Sequence, residues 1–186
     1  VDALVEAGGS LLHMERYEQA WEKFSRAVRL DRENIHALRG KKDAAKALGR
    51  DAEVVETADA ILELKPDDWG VLEEMGDALE NMGNHSGAVR FYSRILEEGK
   101  RSKKENARLL KKRGWVFLGM EKYREASEDF QKAAAVDEKD AEAWEGLGRS
   151  LSSTGDFKKA LEAFDRSLEV DEKNPEVWVA RGLALE

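Results

Sequence analysis

Ala141–Asn174, AEAWEGLGRSLSSTGDFKKALEAFDRSLEVDEKN, contains a full plan for two helices and the turn between them. Trp144, Leu147, Gly148 and Leu151 follow the i, i+3, i+4, i+7 spacing of one helical face. Ala160, Phe164, Ser167 and Leu168 mark a second such face beyond the Thr154-Gly155-Asp156 break. Two short amphipathic helices bury too little surface to stand alone, so the stripe on each must be covered by another copy of the same unit.

Copies are present and keep register. Thirty-four residues earlier, Leu110, Gly114, Phe117, Tyr123, Ala126, Phe130 and Ala133 take the places of Trp144, Gly148, Leu151, Phe157, Ala160, Phe164 and Ser167. Thirty-four residues later, Trp178, Gly182 and Leu185 repeat the first-helix pattern after Pro175. Earlier units start at Val1, Ile35 and Trp69, so the starts step by 34, 34, 38, 34 and 34 residues. The chain thus divides into units 1–34, 35–68, 69–102, 107–140 and 141–174 with a partial unit 175–186, and residues 103–106 are a four-residue insertion. That insertion belongs to a longer linker or to an extra turn on the following helix. The sequence starts without Met and stops inside a helical pattern at Glu186, which reads as a segment of a longer protein.

This pattern, Trp then Leu-Gly and Tyr, then Ala and Phe, then Pro at a 34-residue period, resembles the tetratricopeptide repeat family, and the resemblance runs along all 186 residues. It implies an all-α fold, a right-handed superhelix (solenoid) of helix-turn-helix repeats. The resemblance also implies a protein-interaction scaffold without enzymatic activity, in which the first helix of each unit lines a concave groove. Some members clamp the carboxylate of a chaperone tail with a Lys-Asn pair on one first helix. Here Lys111 is followed four residues later by Trp115 where Asn is required, and no other unit supplies the pair.

A charged fraction of 38% exceeds the roughly 25% of average domains, as expected of a thin array with much solvated surface. The balance of 39 acidic to 31 basic residues gives a net charge of −8, which argues against nonspecific nucleic-acid binding. No cysteine is present, so disulfides and thiolate chemistry are excluded. No apolar run approaches the length of a membrane span, and cytoplasm is the default compartment. No cofactor or metal motif stands out: the three histidines lack HExxH spacing, and no glycine run builds a phosphate-cradling loop. The acidic row Glu73, Glu74, Asp77 and Glu80 lacks the glycine turn of a calcium loop and reads as a solvated or paired face.

Unit two departs from the plan, because Lys41 and Lys42 stand where unit five has Leu147 and Gly148. A lysine cannot be buried there unpaired, so its stem is expected to snorkel outward and to splay the helix pair slightly. Lys100 to Arg113 carries eight basic residues in fourteen. It reads as a solvated loop with salt bridges to unit three or as a site for an acidic protein partner, and less as a nucleic-acid site, because aromatic interleaving is limited to Trp115.

The face opposite each packing stripe supplies the candidate groove residues: Arg39, Glu73, Glu74, Asp77, Arg108, Lys111, Lys112, Trp115 and Arg149; the rows alternate in sign, so neighbouring rows are also expected to neutralise one another across units. Trp115 is singled out as an anchor for an apolar partner residue, with Arg108, Lys111 and Lys112 holding acidic neighbours, since Trp and Arg are enriched at binding hot spots. The last helix has apolar residues on more than one side, and Val177, Val179 and Leu183 are expected to mediate self-association into a homodimer or to meet a further repeat. A self-assembling array and the targeting arm of a larger enzyme are the alternative functions.

Overall fold

The computed structural model describes residues 1–185. Among them are eleven α-helices and no strand: α1 (Asp2–His13), α2 (Tyr17–Leu30), α3 (Ile35–Ala47), α4 (Asp51–Leu64), α5 (Trp69–Asn81), α6 (His85–Glu98), α7 (Lys103–Gly119), α8 (Tyr123–Ala134), α9 (Ala141–Ser153), α10 (Phe157–Val170) and α11 (Pro175–Leu183). Two compact parts, Val1–Phe91 and Tyr92–Glu186, are distinguished. In the first, α1 to α5 pack in consecutive pairs; in the second, α7 to α11 do the same. No helix among the described residues is long and apolar enough to cross a membrane.

The turn inside each repeat has one geometry used five times. Glu15, Gly49, Gly83, Glu121 and Gly155 all have positive φ, between 57° and 83°. The next residue's N–H reaches back five positions in every case: Arg16 to Leu11, Arg50 to Ala45, Asn84 to Leu79, Lys122 to Phe117 and Asp156 to Leu151, at 2.8–3.0 Å. This is the Schellman closure, which satisfies the last carbonyls of the first helix and requires a left-handed residue. Glycine adopts that conformation without a Cβ penalty, whereas Glu15 and Glu121 do so against about 1–2 kcal/mol of steric cost. Glu121→Gly is therefore expected to stabilise the chain by about 1 kcal/mol, and Gly155→Ala to destabilise it by a similar amount. Urea midpoints of the two variants would check this, and a loss of stability in Glu121→Gly would contradict it.

Between repeats the chain turns on side-chain caps. Asn34, Asp68, Asp140 and Asn174 accept hydrogen bonds from Ala37, Val71, Ala143 and Val177 at 3.0–3.3 Å, opening α3, α5, α9 and α11. Pro175 occupies the first turn of α11, where its missing N–H costs nothing. The four-residue insertion is helical: residues 103–106 form the opening of the 17-residue α7, set off by a reciprocal capping box between Ser102 and Glu105.

A phenylalanine held between two glycines organises the packing. Phe130 on α8 sits so close to Gly114 on α7 and Gly146 on α9 that a Cβ on either would lie 2.9 Å or 2.3 Å from its ring. In the first part Phe24 on α2 is held in the same way between Gly8 and Gly40. The Gly8-Gly9 doublet, which weakens α1 by propensity, thus includes a glycine that the ring needs. Phe164 has Gly148 on one side in the same manner, and it shares a buried cluster with Ala160, Leu168, Val177 and Ala184.

Lys42 corrects the expectation for unit two. Its stem does not reach outward: the residue is 4% exposed, and its ammonium meets Asp43 at 2.8 Å and the carboxylate of Glu74 on α5. Pairing, rather than snorkelling, resolves the burial of the charge. Burial pushes the Lys42 ammonium down, but hydrogen bonds and charges from Asp43 and Glu74 outweigh it and hold the group above 10.5. For Glu74, burial pushes the carboxyl up, and the Lys42 and Lys46 ammoniums overcome that and hold it below 4.5. A carboxyl lowered by folding contributes stability above its unfolded value and loses it as pH falls through the folded value. The stability difference between the parent and Glu74→Gln is thus expected to be largest above pH 4.5 and to shrink below it. Thermal midpoints of both proteins from neutral pH to about pH 3 would check this, and a difference that grows with acid would contradict it.

Candidate partner-binding groove

The charged row read as groove-facing is in large part a set of locks between neighbouring repeats. Arg39 on α3 donates to Asp68, the cap of α5. Lys111 on α7 meets Asp140, the cap of α9, at 2.8 Å and Glu142 at 2.6 Å. Glu145 on α9 accepts from the Nδ2 of Asn174, the cap of α11, at 3.2 Å. A base is thus set against an Asp cap and an acid against an Asn cap, so the capping residue serves its own helix and the preceding repeat together. Burial pushes the Lys111 ammonium down, while Asp140 and Glu142 raise it further, so it stays charged and held.

These contacts revise the expected site. Lys111 is mostly covered and tied to two carboxylates, so it is not a free base for an acidic partner. Glu73 is only 7% exposed, which removes it from a ligand-facing row. Glu74 is bound by Lys42 and Lys46 on α3. Asp77, Arg108 and Lys112 each have partners of their own. Arg39, Glu73, Glu74 and Asp77 belong to the first part and stand outside the cavity described below. Val177 is also corrected: it is fully buried on Phe164 and Leu168 and offers nothing to self-association. Its position, third in the repeat, faces the preceding helix, as Ala143 does in α9.

The remaining candidates converge in the second part. Trp115 and Leu118 on α7, Arg149, Ser152 and Ser153 on α9, and Ala180 and Leu183 on α11 line one cavity of about 430 Å³, with Phe164 also on its wall. A second cavity of about 410 Å³ shares Arg149, Ala180 and Leu183 and adds Pro175, Glu176 and Val179. Together they form a groove across three successive first helices. Trp115 is fixed in it by two contacts: its ring stands edge-on to Phe130 at 5.0 Å and 72°, and its Nε1 donates to Glu142 at 2.9 Å. Val179 and Leu183 are 63% and 65% exposed.

Of these residues, Trp115 and Arg149 are expected in the groove from the sequence, Val179 and Leu183 are expected on a separate surface, and Leu118, Ala180 and Glu176 are additions from the structure. The signal was present: Trp115, Arg149 and Leu183 are spaced by 34 residues, as are Glu142 and Glu176. Carrying the register one helix further joins the two groups.

Comparisons agree with this architecture. A family model described as tetratricopeptide repeat matches residues 111–175 and 147–186. No curated protein matches the chain. Solved structures match along nearly all of it. YrrB, described as a TPR protein with an unusual peptide-binding site, is 16% identical over 96% of this chain and 90% of its own, with a TM-score of 0.83. MamA from Desulfovibrio magneticus RS-1 is 20% identical over 93% and 96%, with a TM-score of 0.79. A tetratricopeptide repeat protein from Parabacteroides merdae is 19% identical over 98% and 71%, with a TM-score of 0.82. Residues 111–186 are tetratricopeptide repeats by sequence, and the chain as a whole has the all-α repeat fold of that family.

Proposed function

We propose that the chain is a protein-interaction scaffold whose second part holds an extended segment of a partner polypeptide in the groove of α7, α9 and α11. One observation carries this reading: Trp115, Leu118, Val179, Ala180 and Leu183, from two helices that flank α9, line a shared apolar groove while Val179 and Leu183 stay exposed. The repeat's own packing does not call for exposed apolar residues there, and such patches mark interaction sites. The peptide-binding site named for YrrB, a protein of the same fold, supports the reading by analogy.

Peptides selected on the immobilised chain from a displayed random library test it. Trp115→Ala should weaken the selected peptide by about 2 kcal/mol or more, and Leu183→Ser should weaken it as well with the thermal midpoint unchanged. Undiminished binding by both variants would move the site out of this groove.

Exposure of Val179, Leu183 and Trp178 also favours a second reading, a homodimer through α11. Sedimentation of the chain across a range of concentrations separates the two, since a dimer broken by Val179→Asp with Leu183→Asp would place those residues in a self-contact.

A further inference from the structure

The groove's charge selects among partners, and it does so in the direction opposite to the basic run that precedes it. Among the described residues, the only ionisable ones lining the two cavities are Arg149 and Glu176. Arg149 is already committed: its guanidinium meets Glu145 at 2.8 Å and Glu176 at 3.2 Å. Two carboxylates therefore face one base. Glu145 is further satisfied by Asn174, and its side chain is mostly covered, which leaves little room for a ligand. Glu176 is the one left with capacity: its side chain is 76% exposed and its single ion-pair contact is the longer of the two. A carboxylate has about four acceptor sites, so most of those on Glu176 are open to a ligand. Near Trp115, Lys111 is closed by Asp140 and Glu142 and brings no spare positive charge.

Resting on the groove reading above, we propose that the bound segment is basic and apolar: a large apolar side chain seated between Trp115, Leu118 and Leu183, and a Lys or Arg that reaches Glu176. The spacing follows from the helix. Leu183 lies seven residues after Glu176, about 10 Å along the axis of α11, and a peptide in the polyproline II conformation covers that distance in about three residues and brings side chains three apart onto one face. The recognised pattern is an apolar residue and a base three positions apart. The Ser152 and Ser153 hydroxyls line the cavity at the Trp115 and Leu183 end and suit a peptide backbone there.

The test uses the whole chain as bait for a phage-displayed library of random dodecapeptides, panned in parallel on the parent, Glu176→Arg and Leu183→Ser. The expected result is enrichment on the parent of peptides with Lys or Arg three residues from a large apolar residue, at least tenfold tighter than the same peptides with Glu at the basic position. Glu176→Arg should reverse that preference, and Leu183→Ser should abolish enrichment of the apolar residue. Enrichment that depends on Leu183 but is indifferent to Glu176, or that favours acidic peptides on the parent, overturns the charge assignment and leaves the groove reading standing. Enrichment indifferent to Leu183 and Glu176 alike overturns both.

Discussion

Asp129→Ala is expected to destabilise the chain by about 3–5 kcal/mol. Asp129 on α8 is buried and takes two hydrogen bonds from Arg113 on α7, from Nε and Nη2, each at 2.7 Å. The third arm of the fork, Nη1, donates to Ser93 Oγ at 2.7 Å. Removing the carboxylate leaves a mostly covered guanidinium with no counter-charge, and that uncompensated charge, not the lost attraction, sets the size of the effect. The repeat register supplies a control: thirty-four residues on, Arg113 and Asp129 are replaced by Leu147 and Ala163. Arg113→Leu combined with Asp129→Ala imports an apolar pair that the same architecture already accommodates, and it should recover most of the loss. Urea midpoints of the single and double variants check this. A double variant no more stable than Asp129→Ala alone would show that the ion pair itself is required.

Phe130→Ala is the second large effect, at about 3–5 kcal/mol. Its ring fills the space between Gly114 and Gly146 and also supports Trp115 from below. Gly146→Ala alone should cost about 1–3 kcal/mol, because the new Cβ would lie 2.3 Å from the ring. In the Phe130→Ala background the same substitution meets no ring and should become neutral or favourable, given alanine's helix preference of about 1 kcal/mol over glycine. The double-mutant cycle therefore has a defined sign. Additive costs would mean that the glycine is not there for the phenylalanine.

These two examples show where the sequence was legible. Gly148, Ala160 and Phe164 follow from the period and the helical spacing, because each contact lies within one hairpin and repeats every 34 residues. Gly146 was passed over because its reason lies in the preceding repeat: the ring that needs it is Phe130, not Phe164. That charged rows of neighbouring first helices pair across repeats is legible in their alternating sign, whereas the further locks from Arg39 to the cap Asp68 and from Lys111 to the cap Asp140 are not. A capping residue reads as serving its own helix until the charged row of the preceding first helix is set beside it, and one-helix periodicity carries no information about that neighbour. Lys42 shows a further limit, since a cation at a core position is accommodated by Glu74, more than thirty residues away. Trp115 stands out in the sequence because the repeat pattern calls for no large aromatic at its position, although in the structure its ring meets Phe130 of its own hairpin.

Whether the groove of α7, α9 and α11 holds the partner is tested most directly by the indole resonances of the five tryptophans. In ¹H–¹⁵N and ¹H–¹³C spectra titrated with a library-selected peptide, the Trp115 indole N–H should shift or broaden together with the methyls of Leu118, Val179 and Leu183, while the Trp21, Trp69 and Trp144 indoles stay in place. Saturable binding that leaves Trp115 and Leu183 unmoved and shifts one of the other indoles would contradict the account.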